Sequence, residues 1–138
     1  LRTAEAAAGA PKGFPLKKTA RLAGAAVFAE AASDNIIGVI EGSDPALKDE
    51  VILLTAHLDH VGVDEGGEPG ADVINNGALD NASGVAVLIE AATLFKRART
   101  APRRTIAFAA VTAEEKGLIG SDFLARNPVF GGKRVVAN

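Results

Sequence analysis

Both histidines of this chain lie in one tetrapeptide, His57-Leu58-Asp59-His60, directly after the apolar run Val51-Ile52-Leu53-Leu54-Thr55-Ala56. In open α/β sheets ligands bind outside the carboxyl ends of the strands, so an imidazole there stands in a crevice rather than in the core. Asp59 points the same way as His57 if the extended period continues. It could then accept the second ring N–H of His57 and fix its tautomer. A second group is Asn76-Gly77-Ala78-Leu79-Asp80-Asn81-Ala82-Ser83-Gly84, which runs from a Gly-rich loop into a helix start. Asp80 is either a helix cap or, with its two oxygens, a bridge between two metal ions. Its small neighbours would let the backbone approach a compact site. A third group is Ala113-Glu114-Glu115-Lys116-Gly117, just past the apolar run that ends at Val111. Adjacent carboxylates repel unless a cation or a proton holds them. Metal binding by one would leave the other free for proton transfer.

Each group alone is a common surface feature. Together they supply imidazole nitrogen and carboxylate oxygen without thiolate, since the chain has no Cys. That donor set suits zinc. Two-metal sites hold their ions about 3.5–4 Å apart, a span that a bridging carboxylate fits.

The elements that must position these residues can be read from the patterning. Residues 51–56 form a continuous apolar, β-rich run, as does Ile106-Ala107-Phe108-Ala109-Ala110-Val111, and both suit strands buried on two faces. Residues 84–97 have helical periodicity, with Val85, Leu88, Ile89, Ala92 and Phe95 on one face and Ser83 as the expected N-cap. A second helix is predicted over 117–126, with Leu118, Phe123 and Leu124 inward. Val135-Val136 begins a further strand. Residues 19–32 and 35–42 read as an antiparallel pair separated by Ser33-Asp34-Asn35, a turn signal. Residues 61–79, rich in Gly and acids and containing Pro69, read as a functional loop. Strands alternating with helices imply an α/β layered architecture. Residues 1–15, Ala-rich and then punctuated by Gly and Pro, read as a linker or a frayed helix.

Composition narrows the class. The chain has 138 residues, 48% hydrophobic and 23% charged, which fits one soluble globular domain. Net charge is −2, and the basic cluster Arg97, Arg99, Arg103 and Arg104 flanks Pro102, so a solvated connection is expected there rather than a nucleic-acid surface. No apolar run is read as approaching the roughly 20 residues that span a bilayer, and no membrane partner is expected.

The order H-L-D-H, N-G-A-L-D-N-A-S-G, T-A-E-E-K-G-L-I-G-S resembles the di-zinc aminopeptidase family of metallopeptidase clan MH, over about residues 35–138. That family includes aminopeptidase Y, the glutamate carboxypeptidases and the glutaminyl cyclases. The resemblance implies a three-layer α/β zinc-peptidase fold, phosphorylase/hydrolase-like, with a mixed sheet and flanking helices. It implies that His57 binds one zinc, Glu115 the other, and Asp80 both, with a cis Asp80–Asn81 peptide. Glu114 would be the general base and acid, and Asp59 would support His57. The family's remaining Asp and distal His ligands would lie past Asn138. The resemblance therefore implies a truncated catalytic domain over 19–138, with 1–18 as a linker, the exit from an inserted accessory domain. This chain is expected to hold zinc weakly or not at all, to lack peptidase activity, and to self-associate through an exposed sheet edge. The parent is expected to be a secreted or periplasmic zinc aminopeptidase acting on peptides. A glutaminyl cyclase-like acyltransferase and a non-catalytic binding module of the same fold are the alternatives.

Overall fold

The computed structural model describes Thr19 and residues 21–138. The segment 1–18, read as a linker, lies outside the described residues. The chain divides into two units, Leu1–Ala31 and Ala32–Asn138. In the first, the described residues from 21 onward form no helix or strand. The expected strand over 19–32 is therefore absent, and the antiparallel pair does not form.

The second unit is built on a four-stranded sheet. Its strands are β1 (Ile36–Ile40), β2 (Glu50–His57), β5 (Thr105–Val111) and β6 (Arg134–Ala137), in spatial order β1-β5-β2-β6. β2 runs parallel to β5, with Val51 opposite Thr105 and His57 opposite Val111. β6 is parallel to β2 on its other side, with a bulge between Val51 and Ile52. β1 pairs antiparallel with β5, Ile36 opposite Ala110 and Ile40 opposite Ile106. The sheet is thus mixed, as expected. Ser33 and Asn35 do not close a hairpin. Asn35 donates to the Gly120 carbonyl at 2.8 Å and accepts the Thr112 N–H at 3.0 Å, and the Ser33 hydroxyl meets that of Thr112 at 2.7 Å. These polar side chains dock the entry to β1 onto the end of β5.

Alternation along β2 and β5 feeds two cores. Val51, Ala107, Ala109 and Val111 face one side, where Leu124 and Phe130 cover them. Ala56, Ile106 and Phe108 face the other, where Leu88 packs with Val85, Ala91 and Ala92. Burial on both faces explains why these strands read as unbroken apolar runs. Two helices supply the outer layers. α1 (Ser83–Arg97) carries Leu88, and α2 (Ile119–Arg126) carries Leu124. Phe95 of α1 stacks tilted on Phe108, with ring centroids 6.1 Å apart. Ile89, expected inward, is 63% exposed, because the core stripe passes through Leu88 and Ala92. Leu118 and Phe123, also expected inward, are 55% and 61% exposed. α2 starts at Ile119 rather than 117, and its single-turn contact with the sheet is made by Leu124.

Within the predicted loop 61–79, β3 (Gly62–Val63) pairs antiparallel with β4 (Ile74–Asn75), forming a small separate hairpin. At the amino end of the parallel strands, Thr105 is fully buried. Its hydroxyl accepts the Gly42 N–H at 3.1 Å and donates to the Lys48 carbonyl at 2.6 Å. Arg103 pairs with Asp44 and Arg104 with Glu50, at 2.8 and 2.7 Å, so two of the clustered arginines are committed to internal ion pairs. One stretch, Ala78–Arg97, is long and apolar enough by length and composition to cross a membrane, at mean hydropathy 1.3, contrary to the expectation from sequence. In this fold its Val85, Leu88, Ala91 and Ala92 pack on the sheet.

Candidate metal centre

β2 and β5 end side by side, at the rung where His57 faces Val111. The Leu58 N–H extends that ladder to the Val111 carbonyl at 2.8 Å. The chain then diverges, and the two loops that leave this rung carry His57-Leu58-Asp59-His60 and Glu114-Glu115. The third contribution arrives from Gly77 through a wide turn, Ala78–Ala82, closed by i→i+5 backbone hydrogen bonds, that leads into α1. Asp80 and Asn81 are non-helical within that turn, and the peptide between them is cis, as the resemblance implies.

The singled-out side chains meet. His57 Nε2 lies 3.0 Å from Asp80 Oδ1 and 4.0 Å from Glu114 Oε2. The other oxygen of Asp80, Oδ2, lies 4.0 Å from His60 Nδ1, which in turn is 2.9 Å from Glu115 Oε1. The two oxygens of Asp80 therefore address two halves of one site. One half holds His57 and Glu114, the other His60 and Glu115. Donor atoms of His57, Asp80 and Glu115 all lie within 4.8 Å of one another, so a single cation could be held among them. This set of imidazole nitrogen and carboxylate oxygen fits zinc by donor chemistry. Asp80 is 64% exposed in its side chain, whereas Glu115 is 19% exposed, so Asp80 faces outward and the Glu115 carboxylate sits deeper.

Asp59 supports the site differently from the expectation. The Nδ1 of His57 is 3.0 Å from the main-chain carbonyl of Asp59, while the Asp59 carboxylate is 3.8 Å away. That carboxylate instead accepts two backbone N–H groups, from Glu114 at 3.0 Å and Glu115 at 3.2 Å. The tautomer of His57 is thus set by a carbonyl, and the acid clamps the turn that carries both glutamates. Burial works to raise the Asp59 pKa, but the N–H groups of Glu114 and Glu115 outweigh it and hold the carboxyl below its ordinary value. For His57, burial disfavours the charge. The Asp59 carbonyl and the Glu114, Asp80 and Asp59 carboxylates overcome that and raise its pKa above 6.5.

The helix start also differs. Ser83 lies inside α1 with helical dihedrals, and its hydroxyl donates back to the Leu79 carbonyl at 2.7 Å. Asn81 does the capping, accepting the Gly84 N–H at 3.0 Å. A Cβ on residue 84 would collide with the Asn81 carboxamide, so glycine permits this approach. Two contributors had no role assigned from sequence, Asn81 and His60. The signal for His60 was present, because the chain's histidines are confined to a single tetrapeptide. A groove of about 510 Å³ opens beside His57 and Glu114, lined by Leu53, Val111, Leu118, Leu124 and Phe130 among others.

The sequence profile of Peptidase family M28 matches residues 35–138. The chain belongs to this family. Among its relatives, a probable zinc metalloprotease of Pyricularia oryzae is 38% identical over 97 residues, 67% of this chain and 17% of the relative. Aminopeptidase NAALADL1 of Rattus norvegicus is 37% identical over 94 residues, 64% of this chain and 10% of the relative. The crystal structure of a peptidase M28 precursor from Shewanella amazonensis superposes with a TM-score of 0.54 at 33% identity, covering 72% of this chain and 20% of that one. The chain thus spans a fifth or less of the length of these relatives, and the family profile falls on the segment that carries all three chemical groups.

Proposed function

We propose that this chain carries the amino-terminal part of a zinc-dependent exopeptidase site that removes N-terminal residues from peptides. The observation that carries the reading is Asp80, whose two oxygens face His57 on one side and the His60–Glu115 pair on the other. His57 would hold one zinc, Glu115 the second, and Asp80 both. When bound, zinc supplies Lewis acidity, which lowers the pKa of water toward about 7 and polarises a carbonyl. The remaining work belongs to the chain. Glu114, on the His57 side of the bridge, has no ligand role, and its carboxylate, unlike that of Asp59, is not engaged with backbone N–H groups. It takes the proton of the attacking water and returns it to the leaving amine. Asp59 holds the Glu114 main chain, so the base is aimed by a hydrogen bond rather than by its own side-chain packing. The peptide's side chains have the apolar groove beside Glu114 available to them.

His57, Asp80 and Glu115 give each zinc one unshared ligand and a shared bridge, fewer than the three protein ligands of ordinary catalytic zinc. Weak zinc binding and no turnover by these 138 residues alone belong to the same reading, as does self-association through β6, whose four residues are all exposed. The deciding experiment is Glu114→Ala in the full-length protein, assayed on aminoacyl arylamides with metal content measured in parallel. Turnover should collapse while bound zinc stays constant. Retained turnover removes Glu114 from the mechanism. Activity confined to N-terminal glutaminyl peptides would move the reading to a cyclase.

A further inference from the structure

We infer that His60 is a positioning residue for Glu115, donating its Nδ1–H to the glutamate and so fixing which carboxylate oxygen turns toward Asp80. The inference rests on the metal-site reading above and adds a residue to it. His60 Nδ1 is 2.9 Å from Glu115 Oε1, inside ordinary hydrogen-bond range, and 4.0 Å from the nearer Asp80 oxygen, outside it. Its preferred partner is therefore the glutamate and not the bridge. Both residues are partly shielded, at 26% and 19% side-chain exposure, so the pair is screened less than a surface contact would be.

The position of the ring is built rather than incidental. It sits against Gly77, which has a φ of +64°. A Cβ there would lie 2.9 Å from His60 Cβ and 3.0 Å from Cγ. Gly77 thus supplies both the left-handed backbone that starts the Asp80 turn and the space into which the imidazole fits. The same glycine sets Asp80 and seats His60, which couples the bridge to the orientation of Glu115. Glu115 has a second restraint, the hydrogen bond from its main-chain N–H to Asp59. Asp59 fixes where its backbone lies; His60 fixes which way its carboxylate turns. Ligating carboxylates commonly need such an outer partner, and losing one costs about ten- to a hundredfold in metal affinity.

The test has one arm without metal and one with it. In the metal-free chain, nitrogen-15 correlation spectra of the His60 ring should report the Nδ1–H tautomer, and Glu115→Ala should release it. In the second arm, zinc binding to the full-length protein is measured by competition with an indicator for the parent, His60→Ala, His60→Asn and Asp80→Ala. His60→Ala should weaken binding about ten- to a hundredfold. His60→Asn, whose amide N–H₂ occupies nearly the place of Nδ1–H, should recover most of that loss. An Nε2–H tautomer, or unchanged zinc binding in His60→Ala, overturns the inference. Equal loss in the Ala and Asn variants would make His60 a direct ligand and also overturns it. Binding that survives Asp80→Ala at full strength would instead defeat the metal-site reading itself.

Discussion

The carboxylate of Asp59 accepts the main-chain N–H of Glu114 at 3.0 Å, with its second oxygen on the N–H of Glu115. One side chain from the loop after β2 thereby organises the loop after β5. Without it, the backbone leaving Val111 would have two donors to satisfy at a point where Ala113 already adopts a positive φ of 53°. Glu114, proposed for proton transfer, and Glu115, proposed as a metal ligand, are adjacent in sequence, so a single acid can aim both.

Replacing Asp59 by Asn keeps its shape but sets an amide N–H₂ against one of the two backbone donors. We expect destabilisation of about 1–3 kcal/mol in urea unfolding, the range for a lost acceptor at a partly buried site. An unchanged urea midpoint would show that the turn stands without this clamp.

The direction of the Asp59 shift also sets a pH dependence. Its folded pKa lies below the ordinary 3.8, so its contribution is present above that value and is lost as pH falls through the lower, folded pKa. His57 acts in the opposite sense. Its folded pKa lies above 6.5, so its contribution is complete below 6.5 and is lost as pH rises through the folded value. In chelator, the unfolding midpoint should decline on the alkaline side of 6.5, and His57→Gln should flatten that limb. Asp59→Asn should flatten chiefly the acid limb below about 4, and the alkaline limb only slightly, because its carboxylate is the smallest of the charges that raise the His57 pKa. A single substitution that abolished both limbs equally would contradict this assignment.

Capping of α1 separates two neighbouring polar residues. Asn81→Ala removes the acceptor of the Gly84 N–H and should cost about 0.5–2 kcal/mol. Ser83→Ala removes only a back-donated bond to Leu79 and should stay within about 0.5 kcal/mol. Thermal unfolding of the two variants side by side checks the assignment, and the reverse ranking would restore Ser83 as the cap.

The legible parts of this molecule are those whose signal is local. β2, β5 and α1 appear nearly where their patterning puts them, because strands covered on both faces and a helix with an apolar stripe leave local traces. Ile106 to Val111 illustrates this, since alternate residues serve opposite cores and every position is apolar. Residues 21–32 are also apolar, yet form no strand, because apolar content does not supply a pairing partner. The partner of β1 proved to be β5, far along the chain, and no local signal encodes that choice. The chemical residues were legible for a different reason, namely their types and their place at strand ends. What Asp59 binds was not, because its donors arrive from a segment more than fifty residues away. His60 was passed over on the same ground, as its partner is Glu115 and its seat is Gly77.

The rung where His57 faces Val111 carries a consequence for how this sequence can vary in length. Side chains along a strand alternate with a period of two, so inserting or deleting one residue between Glu50 and His57 would send the imidazole to the opposite face of the sheet. The hairpin tip between Val63 and Ile74 has no such parity, since its residues answer to no ladder beyond their own two rungs. Indels in that tip shift a surface, whereas an odd indel in β2 dismantles the site without altering a single donor residue.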